Sequence, residues 1–87
     1  MSAQVEMRLR RLPDGAFHEA VELGWKGPAL EVGLTDLELP LGALLEIECG
    51  SMTYFGELQQ KSGSTALVLI EHSLDRAKLG PIRQAWG

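Results

Sequence analysis

The sequence holds one cysteine, Cys49, no asparagine, and only two histidines, His18 and His72. A single thiol cannot close an internal disulfide, so the fold must hold by packing, which points to a reducing cytoplasm. The only local cluster of metal-ligand types is Glu71, His72 and Asp75. Neighbours on a strand point to opposite faces, so Glu71 and His72 diverge and no metal site is expected. Cys49 and Ser73 are the available nucleophiles, but no G-x-S-x-G or comparable motif surrounds either. No P-loop or G-x-G-x-x-G is present, and Gly24-x-x-Gly27 lacks the strand–turn–helix context that would give it meaning. Neither catalysis nor a cofactor is expected.

Long apolar runs are missing too. The N-terminus, MSAQVEMRLRR, has no stretch of signal-peptide length, and nothing approaches the roughly 20 apolar residues of a membrane span, so no membrane insertion is expected. Net charge is −4. Phosphate neutralisation needs clustered lysine and arginine, so no nucleic-acid partner is expected. The one basic cluster is Arg8, Arg10 and Arg11. Their guanidiniums either grip a phosphate and stack on a base, or are solvated strand residues that balance Glu6 and Asp14.

What is present is short-period patterning. The chain is 45% hydrophobic over 87 residues, enough for one small core, and reads as one domain over 1–87. Gln4–Leu9 alternates as a half-buried strand, and Pro13-Asp14-Gly15 is a turn. Ala16–Leu23 alternates with Phe17, Glu19, Val21 and Leu23 on one face and Ala20 and Glu22 on the other; a bulge near His18 would repair the phase. The competing reading of this segment is helical. Gly24, Gly27 and Pro28 bracket Trp25-Lys26 and end the element. Strands follow at Ala29–Leu34, Ala43–Cys49, Met52–Gln60 and Thr65–Glu71, with Gly56 marking a bulge or barrel bend. Leu45 and Ile47 share one face of their strand. Ser73 reads as the N-cap of a short C-terminal helical turn. The fold class is therefore all-β for the most part: a small antiparallel barrel of six to seven strands ending in that turn.

Trp25 and Trp86 are either lids on an open end of the core or anchors for a partner. The candidate contact surface is Trp25, Tyr54, Ile82 and Trp86.

The segment Leu39–Leu74 resembles the second half of a PilZ domain. The matching order is Leu39-Pro40-Leu41-Gly42, the strand Leu44–Glu48, Phe55-Gly56-Glu57, then Val68–Leu74 with its Glu-His-Ser-Leu ending. The resemblance implies a bacterial β-barrel of a family best known for binding cyclic di-GMP. The ligand motifs of that family are absent. No arginine stands four residues after Arg8, Arg10 or Arg11, where Leu12, Asp14 and Gly15 occur. Without asparagine, and without serine between Ser2 and Ser51, the Asp/Asn-x-Ser-x-x-Gly motif is missing as well. The expectation is a signalling adaptor that acts through contacts with another protein or a second copy of itself, without tight cyclic di-GMP binding. The alternative is a nucleotide receptor using Arg8, Arg10 and Arg11.

Overall fold

A computed structural model describes residues 7–34 and 38–77. Six strands run in chain order: β1 (Met7–Arg11), β2 (His18–Lys26), β3 (Ala29–Leu34), β4 (Leu44–Cys49), β5 (Met52–Ser62) and β6 (Thr65–Asp75). Around the ring the order is β1-β2-β3-β6-β5-β4, and β1 pairs with β4 to close the barrel. Every pairing is antiparallel. Closure leaves these strands without an open edge, which is how a small all-β chain avoids edge-to-edge association.

The core is the inward half of each alternation. Leu9, Leu30, Val32, Leu45, Ile47, Leu58 and Val68 are essentially inaccessible to solvent, and Met7, Leu34, Ala43 and Ala66 complete the cluster. Removing each large side chain from water contributes about 1.5–3 kcal/mol against the ordering of the chain. The expected placement of Leu45 and Ile47 on one face holds, and that face is the interior.

Three register steps shape the barrel. One lies in β2 between Glu22 and Gly24, and two lie in the β5–β6 ladder, between Phe55 and Gly56 and between Leu58 and Gln60. Gly56 has a steric reason to be glycine. A Cβ there would fall against the Leu69 carbonyl oxygen, and its next neighbour, Val68 Cγ1, stands at 3.0 Å. The two ladders pinch together at that residue, as the isolated glycine in the strand implied.

Several boundaries differ from the sequence reading. The segment after the first turn is the strand that its alternation predicts, not the competing helix, but β2 runs past Leu23 through Gly24 to Lys26, where Gly27 and Pro28 make the turn. Its bulge lies at Leu23, not near His18. The ladder persists there because Gly24 takes φ 148°, a backbone setting open to glycine. Likewise β6 continues past Ser73 to Asp75, because Tyr54 and Thr53 of the long β5 still pair with Ser73 and Leu74. Asp75, not Ser73, takes the capping role: its Oδ1 accepts from the Ala77 amide at 3.0 Å. Helical backbone begins at Arg76–Ala77. The rest of the expected C-terminal turn, with Ile82 and Trp86, lies outside the described residues. Glu6 lies outside them too.

Candidate functional site

The three arginines sit on β1 but do not form one cluster. Arg8 and Arg10 point outward, directly opposite Glu48 and Glu46 of β4. Arg8 Nε donates to Glu48 Oε1 at 2.6 Å; Arg10 donates to Glu46 Oε1 through Nε at 3.0 Å and Nη2 at 2.7 Å. These are cross-strand ion pairs on neighbouring rungs, a common device for fixing register. Phe17, just before β2, lies beneath both guanidiniums, 4.4 Å from Arg8 Cζ and 5.0 Å from Arg10 Cζ. Both cations are thus held by a carboxylate and a ring face. Arg11 is exposed, and among the described residues its side chain makes no ion pair. The carboxylates that balance the cluster are Glu46 and Glu48, not Asp14.

A fourth arginine extends the network. Arg76 Nη1 lies 3.5 Å from Glu48 Oε2, and the same side chain donates to the carbonyls of Gly50, Ser51 and Met52. Arg76 therefore clips the β4–β5 turn to the end of β6. Sequence reasoning missed Phe17 and Arg76, because both act through partners far away in the chain.

The aromatic candidates behave differently. Tyr54 faces inward, paired with Ile47. Trp25 also faces inward, paired with the buried Leu30, even though it lies on a strand whose outer face is apolar. The bulge does this. Without the extra residue at Leu23, alternation would put Trp25 on the outside with Val21; with it, the phase resets and the indole swings over the barrel end. Since β2 and β5 lie across the ring from each other, Trp25 and Tyr54 meet over the interior. Their centroids are 5.4 Å apart and their planes stand at 75°. The pair closes only part of that end, because Trp25 remains 46% exposed.

Glu22 and Cys49 join them. Glu22 pairs with Val32, so its side chain leaves β2 on the inward side, while remaining exposed at the barrel end. The Cys49 thiol lies 3.9 Å from Glu22 Oε1, a long and weak donor contact. Partial burial raises the Cys49 thiol above its usual range, and the Glu22 charge and hydrogen bond raise it further. The Tyr54 phenol is also raised, first by burial, then by Cys49 and Glu22. A thiol kept neutral is a poor nucleophile. Cys49 sits at a strand end, half-buried against the core.

The outward face of β2 is the other conspicuous feature. Val21 and Leu23 are 55% and 50% exposed, and Leu23 lies over the bare backbone of Gly33 on β3. The alternation of this strand was read correctly, but its apolar face is the solvent face, and Ala20 and Glu22 point inward. On the far side of the fold an open groove of about 680 Å³ is lined by Leu39, Pro40, Leu41, Gln59, Gln60, Lys61 and Glu38. His72 is exposed on β6, and among the described residues no three of His, Cys, Asp and Glu gather as metal ligands. No described helix is long and apolar enough to cross a membrane.

No known protein family, curated protein or solved structure matches the chain.

Proposed function

We propose that this chain is a non-enzymatic adaptor, PilZ-like in build, that docks a protein partner on β2 and the adjoining barrel end. The observation that carries this reading is the direction of the strand's apolar residues. In a barrel of this size apolar side chains normally fill the interior, yet Val21 and Leu23 face solvent and Trp25 is nearly half exposed. Large apolar side chains exposed side by side on one strand face, as Val21 and Leu23 are, mark a candidate contact site. To the contact surface expected from the sequence, Trp25, Tyr54, Ile82 and Trp86, this reading adds Val21 and Leu23.

The arrangement of the arginines disfavours the alternative, a cyclic di-GMP or other nucleotide receptor. To receive a phosphate, Arg8 and Arg10 would have to leave Glu48, Glu46 and the Phe17 ring, and two carboxylates would remain beside the anion. Of the three, only Arg11 is without an ion pair among the described residues, and one exposed guanidinium is a weak anchor.

The test is a paired capture with immobilised full-length protein and lysate of the source cells. Wild type, Val21→Ser/Leu23→Ser and Arg10→Ala/Arg11→Ala are compared after each is shown to be folded by amide dispersion. The reading expects a discrete partner on the wild type and the arginine variant that is lost on the β2 variant. A partner lost only on the arginine variant would overturn it. Should the retained partner be a second copy of the chain, the adaptor is a homodimer using this face.

A further inference from the structure

We infer that the barrel end formed by Glu22, Trp25, Cys49 and Tyr54 is a receptor for a cationic side chain, lysine or arginine, presented by the protein partner. The inference rests on the adaptor reading and specifies the chemistry of what is docked.

Three features converge. Two aromatic rings stand close to perpendicular, 75° between planes at 5.4 Å, and make two walls of a corner. In an edge-to-face pair the edge of one ring covers a face of the other, so the ring that presents its edge keeps both its own faces clear of its partner. Ring faces carry the negative side of the quadrupole, which attracts ammonium and guanidinium groups. One of the rings, Trp25, is 46% exposed and can be reached from solvent.

The third wall is Glu22. Among the described residues no lysine or arginine lies within ion-pair distance of it, whereas Glu46 and Glu31 each have one and Glu48 has two. The only described polar partner of Glu22 is the neutral Cys49 thiol, 3.9 Å away. Glu22 Oε1 stands 3.9 Å from the Cys49 thiol, and Cys49 shares the inward face of β4 with Ile47, the partner of Tyr54, so the carboxylate is at the same barrel end as the aromatic pair. An exposed carboxylate at the same end as two aromatic rings, on a protein of net charge −4, selects a cation over an anion or a neutral apolar group.

The fold builds this corner deliberately, in the sense that two devices are needed for it. The bulge at Leu23 turns Trp25 inward while leaving Glu22 inward too, so that both residues of one strand address the same opening. Gly24, at φ 148°, permits the bulge. A regular strand would place Glu22 and Trp25 on opposite faces.

The test uses isotope-labelled full chain and three capped tripeptides: acetyl-Gly-Lys-Gly-amide, acetyl-Gly-Arg-Gly-amide and acetyl-Gly-norleucine-Gly-amide. The last keeps the lysine stem and lacks its ammonium. The expected result is saturable shifts of the Trp25 indole and Tyr54 amide signals with the lysine or arginine peptide, and none with the norleucine peptide. Glu22→Gln, an exposed and nearly isosteric change, should weaken that binding about fivefold, the upper range for one exposed charge pair. Equal shifts with the norleucine peptide, no shift with any peptide, or unchanged affinity in Glu22→Gln would each overturn the cation assignment. None of those results touches the capture experiment, which depends on Val21 and Leu23, so the two readings fail separately.

Discussion

The orientation of Trp25 depends on one backbone setting, and Gly24→Ala perturbs it. Gly24 sits at φ 148° in the β2 bulge, and a Cβ built there meets nothing within 4 Å. The cost of alanine is therefore pure backbone strain, about 1–3 kcal/mol for an L residue in such a region. The control is Gly33→Ala on the adjacent strand. Its φ is ordinary, and its Cβ would touch Leu23 Cδ1 at 3.7 Å, a normal contact. Alanine there should be neutral or gain roughly 0.5–1 kcal/mol, as glycine usually weakens a strand interior. A chain of this size has a stability on the order of 4–13 kcal/mol. With a urea slope of about 1 kcal/mol per molar, Gly24→Ala should lower the unfolding midpoint by about 1–3 M and Gly33→Ala should leave it or raise it. If the chain relieves the strain by dropping the bulge, Trp25 moves outward, and its indole signal and fluorescence shift in a Trp86→Phe background. A Gly24→Ala protein as stable as Gly33→Ala, with Trp25 unmoved, would refute the role given to the bulge.

Gly56→Ala should cost about 3 kcal/mol or prevent folding, because the added carbon meets the Leu69 carbonyl; urea unfolding measures it. Arg10→Ala should lose about 1–2 kcal/mol through Glu46 and Phe17, while Arg11→Ala stays within about 0.5 kcal/mol, read by the same titration. Stability should be flat near neutrality and fall as the pH passes the ordinary thiol and phenol ranges, about 8.5 and 10. The sign follows from both groups being raised: the unfolded chain ionises first, so the advantage held below those values is lost above them. Glu22→Gln should reduce that alkaline loss and speed thiol labelling of Cys49, since the Glu22 charge contributes to both shifts. Alkaline unfolding curves and the labelling rate check these two outcomes.

Much of the barrel was legible in the sequence because period-2 patterning dominates it. Leu45 with Ile47, the strand read at Thr65–Glu71, and Gly56 all signalled their places directly. What could not be read was the sense of β2. Alternation says which residues share a face, not which face is inside, and in this strand the apolar set faces solvent. The bulge was expected from the wrong evidence, the phase of Glu19, and so was placed near His18. Its actual position depends on the pairing of Glu22 with Val32 and Trp25 with Leu30, a long-range fact. The end of β6 was misread for a similar reason: Ser73 looks like a cap locally, but the length of β5 keeps it in the ladder. The arginines were visible as a cluster, yet their partners on β4 lie 36 and 40 residues away, so their engagement was not.

The pairing of Arg8 with Glu48 and of Arg10 with Glu46 supports the proposal of an adaptor over that of a nucleotide receptor.

The most direct measurement is site-specific photocrosslinking in the native cells, with a benzophenone side chain at position 23 on β2 or at position 61 on the far groove. The account predicts a discrete higher-mass adduct from position 23 and none from position 61. No adduct at position 23, or the same adduct from position 61, would contradict the claim that β2 is the docking face.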